Sequence, residues 1–388
     1  MKLLNLPHIK RFAQIFATEI ENFRIVGGAI RDELLNLPVQ DIDIAAKFEV
    51  TQLIKLCIEK KLKYKPTGIK YGTITVYIAK QPIEITSLRK DLNTDGRHCE
   101  VEFTEDFLAD AKRRDFTINA LYLDFAGNLY DYFQGRDHIK QKKLVFIGDI
   151  KARINEDYLR ILRLFRFQAK LQQFKIDKHT LSICAKFRDQ LKQISAERMR
   201  EEMMKLLAGP NYITSLELMS QYKICDFCLD YQNIAKLKKF AAQHYMQNIA
   251  IILLHQITLA QSVKQLTNAL KLSKKQQQII TMLKSEIIDF SSLATESLHK
   301  IIFTYGQAAA QNLYINYVIN NEVKLDLEIL HYMTQVTLPK FPLTGSDLKK
   351  LGYQEGIELG HKLTQLKAKW LESDFKLAKH DLIALAKF

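Results

Sequence analysis

Residues Val26–Asp32, with the sequence VGGAIRD, are followed after a short gap by Asp41–Ile44, with the sequence DIDI. Two glycines at the start of a helix let the backbone approach a polyphosphate, whose charge is favoured at a helix N-terminus. Arg31 falls in the first turn of that predicted helix, where it can add a charge-assisted contact. The stretch therefore predicts that Gly27, Gly28 and Arg31 bind phosphate.

Asp41 and Asp43 alternate with isoleucines in a run that is typical of a β-strand. Residues two apart on a strand point to the same face, so the two carboxylates are expected to lie side by side. Paired carboxylates suit hard cations such as Mg²⁺, which also retain phosphate or water ligands. A phosphate-binding turn beside such a metal site is typical of metal-assisted nucleotidyl transfer.

The two motifs together, at this spacing, resemble the signature of the class II tRNA nucleotidyltransferase and bacterial poly(A) polymerase family. That family is a branch of the polymerase β-like nucleotidyltransferases. The resemblance implies that Asp41 and Asp43 are catalytic and hold Mg²⁺, with two ions expected. Glu84, in the run Ile83–Thr86, is a candidate third catalytic carboxylate. A solvent-facing strand glutamate is the alternative interpretation of Glu84.

A second cluster, Lys112–Ala120 (KRRDFTINA), leads into an apolar run at a predicted junction between elements. A salt bridge at the start of a helix is one interpretation. The cluster also resembles the family's ribose-recognising motif, which implies that Arg114 and Asn119 contact the nucleotide and that Asp115 lies near the 2′-hydroxyl. An aspartate can accept a hydrogen bond from that hydroxyl, which deoxyribose lacks.

The third cluster, Arg153–Phe167, is predicted to be one amphipathic helix with acids first and arginines at intervals of three. Side chains three apart are neighbours on a helix, so Asp157 is expected to pair with Arg160. The stripe continues to Arg163 and Arg166. These arginines have no acids among them, which indicates a bound anion, and a salt-bridged solvent face is the alternative.

The third cluster also resembles the family's amino-acid template motif, which implies that Glu156, Asp157 and Arg160 bind the base. Cytosine and adenine both present an exocyclic amino donor beside a ring-nitrogen acceptor, whereas uracil and guanine present a carbonyl and an N–H. One carboxylate beside one guanidinium therefore selects CTP and ATP over UTP and GTP. The resemblance places Arg163 and Arg166 on phosphates.

The chain has 388 residues and a net charge of +14, which favours a polyanionic partner such as nucleic acid. Strand patterns are confined to the first part of the chain, and helical periodicity dominates from about residue 151. We expect an α+β, polymerase β-like nucleotidyltransferase head at 1–150. An all-α neck (151–212), body (213–335) and tail (336–388) are expected to follow. Ser195–Glu202, which resembles a further family motif, is interpreted as scaffolding of the neck.

Other sequence features bear on location and partners. No apolar stretch approaches the length of a membrane span, and the first residues lack a signal-peptide core of adequate length. Five scattered cysteines favour a reducing cytoplasm over a disulfide framework, and Cys225 and Cys228 lack a second ligand pair for zinc. We expect a cytoplasmic protein with no membrane contact, and infer no obligatory protein partner.

The resemblance implies addition or repair of the 3′-terminal CCA of tRNA from CTP and ATP, with release of pyrophosphate. The partner would be the 3′ end and acceptor arm of tRNA. A poly(A) polymerase, an enzyme limited to CC or A addition, and a non-catalytic RNA-binding relative remain alternatives. A poly(A) polymerase is expected to carry a longer basic C-terminal extension, and the presence of Asp41, Asp43 and Asp157 argues against a non-catalytic protein.

A polar loop, Leu88–His98, lies between the predicted catalytic carboxylates and the ribose motif. In the family such a loop reorients the template between the second C and the terminal A. Asp95, Gly96 and Arg97 are therefore expected to support A addition, with Gly96 as the pivot. A freely varying surface loop is the alternative.

Overall fold

The computed structural model describes residues 1–94, 99–243, 249–258, 263–286, 288–291 and 294–387. The loop residues Asp95, Gly96 and Arg97 therefore lie outside the described residues. The chain forms two compact units, one of residues 1–234 with 257–272 and one of residues 235–256 with 273–388.

Strands of the described chain fall in the first unit. They are β1 (Phe23–Val26), β2 (Asp43–Ala46), β3 (Lys63–Gly68), β4 (Thr73–Ile78), β5 (Gln81–Ser87), β6 (Arg89–Thr94), β7 (Cys99–Phe103), β8 (Leu121–Leu123) and β9 (Leu129–Asp131). Seven of them form one sheet in the order β3-β4-β5-β2-β1-β8-β9, while β6 pairs with β7. Within the larger sheet β2 and β5 are parallel, the other neighbours are antiparallel, and β3 is an edge strand.

Helices occur in both units. They are α1 (Pro7–Ile15), α2 (Gly28–Leu34), α3 (Val50–Glu59), α4 (Phe107–Arg113), α5 (Gly135–Lys140), α6 (Ile150–Glu156), α7 (Leu159–Lys170), α8 (Lys178–Lys186), α9 (Ala196–Leu207), α10 (Tyr212–Gln221), α11 (Ile234–Gln243), α12 (Ala250–Gln256), α13 (Val263–Leu270), α14 (Lys274–Ser285), α15 (Thr295–Tyr305), α16 (Gln307–Asn321), α17 (Leu327–Gln335), α18 (Gly345–Lys349), α19 (Ile357–Glu372) and α20 (Lys379–Ala386). α1–α10 and α13 belong to the first unit, and α12 and α14–α20 belong to the second.

Alternation along the strands gives the seven-stranded sheet one apolar face. Ile44, Ile85 and Ile74 are cross-strand partners on β2, β5 and β4, and all three are fully buried. Phe23 of β1 shares this face, and Phe12 of α1 packs against it edge to face, with 5.2 Å between the ring centroids. Helix α1 therefore covers the apolar face.

A row of cross-strand partners crosses the other face of the sheet, and we call it the cross-sheet row. From β9 to β3 its members are Tyr130, Tyr122, Val26, Asp43, Glu84, Thr75 and Lys65. Val26 and Tyr122 share a buried cluster with Phe107 and Ala111 of α4, so this end of the row is covered. Lys65 at the other end is exposed.

Aspartates cap the start of α4, which runs into the second cluster, and the start of α6, which runs into the third. Asp106 accepts a hydrogen bond from the Leu108 backbone N at 2.8 Å, and Asp149 accepts one from the Ala152 backbone N at 2.9 Å. Such caps satisfy backbone donors that a helix start leaves free. They fix where α4 and α6 begin.

Trp370 organises a core in the second unit. Only 2 % of its surface is exposed. The rings of Phe303, Phe341 and Phe375 surround it, with centroids 5.4, 5.3 and 4.7 Å away. These contacts join α15, α19 and the segments next to α18 and α20.

The predicted fold class is confirmed, because an α+β region precedes the helices and the last described strand ends at Asp131. The first compact unit contains the residues of the predicted head and neck and continues to residue 234. The boundaries of the four predicted parts stay a prediction. Within the described ranges, the structure has no helix with the length and apolar character needed to span a membrane.

Candidate active site

Asp43 and Glu84 lie side by side on two parallel strands. Asp43 begins β2 and is in register with Glu84 of β5. Asp41 was predicted in the same strand, but it lies in the segment just before β2. Burial and the neighbouring carboxylates of Glu84 and Asp41 raise the pKa of Asp43 to about 6. The three side chains concentrate negative charge at the start of β2.

These carboxylates fit a hard cation. Mg²⁺ prefers carboxylate oxygens, and the raised pKa of Asp43 means that nearby positive charge would stabilise its ionised form. In the described part of the chain, no group of three or more His, Cys, Asp and Glu side chains is arranged to hold a metal by itself. An ion at Asp43 would therefore take further ligands from phosphate and water.

Gly27 forms the turn between β1 and α2. Its φ of 77° lies in a region that side-chain-bearing residues rarely adopt. A Cβ at Gly27 would lie 3.4 Å from the Asn119 carbonyl oxygen and 3.5 Å from Arg114 Nη1. The space would admit a Cβ at ordinary contact distance, so it is the positive φ that favours glycine at this turn beside the second cluster. The phosphate contacts of Gly27 and of Gly28, the first residue of α2, stay a prediction.

Arg31 is buried and bound by protein side chains. Its Nε donates to Asp32 Oδ1 at 2.8 Å, and its Nη1 donates to Asn119 Oδ1 at 2.6 Å. Asp32 also accepts a hydrogen bond from Lys170 Nζ at 3.0 Å. Arg31 thus links α2 to the second cluster, and its contact with phosphate stays a prediction.

Asp115 is buried and has every acceptor position occupied. Its Oδ2 accepts two hydrogen bonds from Arg163, one of them from Nε at 2.8 Å. Its Oδ1 accepts from Asn119 Nδ2 at 3.1 Å and from the Phe116 backbone N at 2.8 Å. Burial alone would raise the pKa of Asp115, but Arg163 and Asn119 hold it well below its usual range. Asp115 is therefore ionised at neutral pH.

Hydrogen bonds form an unbroken chain through this region. We call its six members the polar chain, and in order they are Lys170, Asp32, Arg31, Asn119, Asp115 and Arg163. The first and last members both lie on α7, Asp32 and Arg31 lie on α2, and Asn119 and Asp115 lie in the second cluster. The polar chain therefore ties α7 to the glycine turn and to the ribose motif.

Arg114 is held by two residues that the sequence analysis did not select, Asp110 and Tyr122. Arg114 Nε donates to the Tyr122 hydroxyl at 3.0 Å, and that hydroxyl donates to Asp110 Oδ2 at 2.6 Å. Arg114 Nη2 also contacts Asp110, at 3.1 Å. Burial opposes ionisation, but Arg114 and Arg113 lower the pKa of Asp110 to about 2. The four-residue spacing of Asp110 and Arg114 on a helix was the available signal.

The third cluster is not one helix, so that prediction was wrong. α6 ends at Glu156, α7 begins at Leu159, and the backbone of Asp157 between them is extended. Asp157 Oδ1 accepts a hydrogen bond from the Leu159 backbone N at 3.1 Å, and its carbonyl oxygen accepts one from Arg160 N at 3.0 Å. Asp157 therefore caps the second helix instead of continuing the first.

The predicted partner of Arg160 was also wrong, because Arg160 pairs with Glu156. Arg160 Nη1 donates to the Arg153 carbonyl oxygen as well, at 2.7 Å. Arg153 shares Glu156, and its Nη2 donates to the carbonyl oxygens of Arg113 and Arg114. Glu156 thus neutralises two buried arginines, one of which fixes the backbone of the second cluster.

The remaining side chains of the stripe also find partners on other elements. Asp157 Oδ2 accepts a hydrogen bond from Arg198 Nη2 at 2.7 Å, and Arg166 Nη1 lies 3.2 Å from Glu202. Arg160, Arg163 and Arg166 therefore each have an acidic partner, and the bound anion that the stripe indicated stays a prediction. Arg198 and Glu202 lie on α9, in the run interpreted as scaffolding, and spacing along α7 gives no signal for them. The phosphate contacts of Arg163 and Arg166 stay a prediction.

Arg114 connects the parts of the candidate site. Its positive charge offsets part of the rise in the pKa of Asp43, and it lies beside the Gly27 turn. Its carbonyl oxygen accepts a hydrogen bond from Arg153, the partner of Glu156, at 2.6 Å. The structure therefore brings the carboxylates, the glycine turn and the ribose motif together, with the third cluster joined to them through backbone contacts.

Two family models match the chain. Residues 23–145 match the poly A polymerase head domain, and residues 173–234 match the probable RNA and SrmB-binding site of polymerase A. The first match contains the carboxylates, the glycine turn and the second cluster. The third cluster lies between the two matches.

Solved structures of CCA-adding enzymes share the fold. The Bacillus stearothermophilus CCA-adding enzyme in complex with CTP superposes with a TM-score of 0.77 at 24 % identity, covering 98 % of this chain and 97 % of that chain. The Thermotoga maritima CCA-adding enzyme complexed with tRNA gives a TM-score of 0.61 at 19 % identity, covering 99 % and 97 %.

Curated relatives are similar to this chain in amino-acid sequence. Human mitochondrial CCA tRNA nucleotidyltransferase 1 is 32 % identical over 396 residues, which cover 98 % of this chain and 89 % of that protein. The CCA-adding enzyme of Enterococcus faecalis is 35 % identical over 237 residues, covering 59 % and 56 %. Similarity that extends over almost the whole chain shows that this protein belongs to the CCA tRNA nucleotidyltransferase family.

Proposed function

We propose that this protein adds or repairs the 3′-terminal CCA of tRNA from CTP and ATP, without a nucleic-acid template and with release of pyrophosphate. The observation that carries the proposal is the register of Asp43 with Glu84, beside the Gly27 turn and Arg114. Family membership supports the same activity.

In this proposal the 3′-hydroxyl of the tRNA attacks the α-phosphate of the bound nucleotide. Asp41 and Asp43 would hold Mg²⁺, which when bound activates the hydroxyl and stabilises the leaving pyrophosphate, and Glu84 is the candidate third catalytic carboxylate beside them. The Gly27 turn lets the triphosphate approach the backbone, and Arg114 supplies positive charge beside it.

In this proposal Asp115 recognises the ribose by accepting a hydrogen bond from its 2′-hydroxyl. A carboxylate accepts about four hydrogen bonds, and Asp115 already accepts that number. A 2′-hydroxyl would therefore take the place of one donor. The two donors of Arg163 share Oδ2, so one of them can be exchanged while the ion pair remains.

Base selection is proposed for Asp157 and Arg160. Asp157 is the acceptor for the amino group that cytosine and adenine share, and Arg160 is the donor to their ring nitrogen. Arg198 orients Asp157, and Glu156 orients Arg160. Because the two side chains have separate partners, each can be oriented independently of the other, which supports their use as a template.

The proposed partner is the 3′ end and acceptor arm of tRNA. The net charge of +14 and the match of residues 173–234 to an RNA-binding model support it. A cytoplasmic location is supported by the scattered cysteines, and the similar human and mouse proteins are named as mitochondrial.

The test is incubation with tRNA transcripts that end before, within and after the terminal CC. We expect each transcript to be extended to CCA and no further, with CTP and ATP used and UTP and GTP rejected. Arrest after CC would indicate an enzyme limited to C addition, and a long A tail would indicate a poly(A) polymerase. Absence of incorporation would indicate a non-catalytic relative.

A further inference from the structure

The edge of the large sheet carries unbalanced positive charge. Between Glu59 and Glu84 the sequence has six lysines and no acidic residue. Lys60 is paired with Glu19 at 3.0 Å. Lys63 and Lys65 on the edge strand β3 are exposed, and neither forms an ion pair with any residue that the structure describes.

Both lysines lie on the face of the sheet that holds the catalytic carboxylates. Lys65 is the last member of the cross-sheet row, and Lys63, two residues earlier, is in register with Tyr77. The Lys63 and Lys65 ammonium groups lie 5.9 and 5.7 Å from the centroid of the Tyr77 ring. We call Lys63, Lys65 and Tyr77 the lysine strip.

The cross-sheet row gives the direction in which a bound nucleic-acid strand can run away from the carboxylates. At one end Val26 and Tyr122 are covered by α4, and Gly27 and Arg114, proposed to bind the nucleotide, adjoin that end. At the other end Glu84 and Lys65 are exposed, with the small, buried Thr75 between them in the row. Three strand spacings of about 4.8 Å separate Asp43 from Lys65, or roughly 14 Å.

We propose that the lysine strip binds the phosphate backbone of the RNA strand whose 3′ end lies at the carboxylates, a few nucleotides before that end. This inference rests on the proposed function. Unpaired ammonium groups attract phosphates and release counterions when they bind them, and an aromatic ring beside them offers a stacking surface. The strip therefore positions the primer strand, while the base-selecting residues contact the incoming nucleotide.

Lysines and Pro66 on an edge strand also have a purely protective role, because they discourage pairing with another sheet edge. The two roles make different predictions. Protection requires only that the edge stays unpaired, whereas an RNA contact requires a salt-dependent contribution to tRNA affinity.

The experiment compares two double variants that remove the same charge from the first unit. One is Lys63→Gln with Lys65→Gln, and the control is Lys10→Gln with Lys55→Gln, which changes exposed lysines on α1 and α3. The dissociation constant of a tRNA transcript lacking CCA is measured over a range of salt, together with that of CTP alone. A photoreactive phenylalanine analogue replaces Tyr77 in a third variant.

We expect the strip variant to bind tRNA on the order of tenfold more weakly at low salt, with the slope of log affinity against log salt shallower by about 1 to 2. Its CTP affinity should stay that of the wild type, and the control variant should change tRNA binding much less. The analogue at position 77 should crosslink to the 3′ strand of the acceptor arm.

Equal tRNA affinity and equal salt slope in the two double variants would overturn the proposal, as would a crosslink confined to another part of the tRNA. Self-association of the strip variant with unchanged tRNA binding would assign the lysines to edge protection instead. Because binding is measured without incorporation, a wild-type protein that binds tRNA through the strip but adds no nucleotide overturns only the proposed function.

Discussion

Arg163 of α7 and Asp115 of the second cluster form an ion pair in which Nε lies 2.8 Å from Oδ2. Burial alone would raise the pKa of Asp115, so the guanidinium is what keeps this carboxylate ionised. The pair joins the helix that carries the proposed template to the residue proposed to contact ribose. With these proposed roles, one contact would couple stability to nucleotide selection.

Replacing Arg163 should destabilise the first unit in a pH-dependent way. Arg163→Gln leaves Asp115 buried with a weaker partner, which is expected to cost roughly 2–3 kcal/mol of unfolding free energy at pH 8. In the wild type the pKa of Asp115 is depressed, so its contribution is complete above the unfolded pKa near 3.9 and is lost as pH falls through the lower folded value. In the variant the pKa of Asp115 in the folded state rises.

The difference in stability between Arg163→Gln and the wild type should therefore shrink as pH is lowered from 8 to 4.5. Urea unfolding at both pH values measures it. The double variant Asp115→Asn with Arg163→Gln removes the buried charge and should recover part of the loss at pH 8. An equal loss at both pH values would contradict the assigned role of the ion pair.

Asn119 should control the preference for ribonucleotides without touching the sugar itself. Asn119→Asp still accepts from Arg31, but it replaces the donor that faces Asp115 at 3.1 Å with a carboxylate. We expect the kcat/KM ratio of CTP to dCTP to fall at pH 8. The ratio should recover at lower pH, where the introduced carboxyl takes up a proton and donates again.

The chain offers a matched control for that substitution. Asn128 also donates to an aspartate, Asp124, at 2.9 Å, but it lies in the exposed turn between β8 and β9. Asn128→Asp should leave the ratio of CTP to dCTP unchanged at every pH. The same pH profile in both variants would show that Asn119 has no special role.

Asp43 should lower the stability of the protein when no cation is added. Its pKa is raised to about 6, so stability is lost as pH rises from the unfolded pKa near 3.9 through that value. Asp43→Asn should therefore raise the melting temperature at pH 8 and have little effect at pH 4.5. Mg²⁺ should raise the melting temperature of the wild type more than that of Asp43→Asn.

Asp137→Asn, a change at an exposed acid of α5, is the control and should respond to Mg²⁺ as the wild type does. If Asp43→Asn gained as much from Mg²⁺ as the wild type, the ion would not bind at Asp43. Loss of nucleotide incorporation in Asp43→Asn is expected in addition, but the melting temperatures test the site independently of activity.

Local patterns were enough to predict much of the first unit. Apolar and polar residues alternate in Ile83–Thr86, which predicts that Glu84 lies on the face of the sheet opposite the apolar one. Two glycines before a helix predict the turn at Gly27. The register of Asp43 with Glu84 depends on which strands become parallel neighbours. That pairing joins residues far apart in sequence, so the three-carboxylate arrangement required the structure.

The third cluster shows where residue spacing alone predicts the wrong structure. Intervals of three and four favour a continuous helix, yet a capping side chain at Asp157 ends one helix and starts another. The partners that fix this break, such as Arg198, come from a separate element. A one-dimensional pattern carries information about neighbours within a helix and none about the acids or arginines that another helix supplies.

Glu156 and Asp157 are adjacent, but isosteric changes at the two should have different effects. Glu156→Gln removes the shared acid of Arg153 and Arg160, so the melting temperature should fall, and the ratio of CTP to UTP use should fall with it because Glu156 is proposed to orient Arg160. Asp157→Asn keeps the oxygen that caps α7 and puts an amide donor where the base amino group would bind. Its melting temperature should fall less than that of Glu156→Gln, because the ion pair with Arg198 that it loses is partly exposed, while the kcat/KM ratio of CTP to UTP falls. If Asp157→Asn lowered the use of every nucleotide equally, Asp157 would be structural and the proposed template wrong.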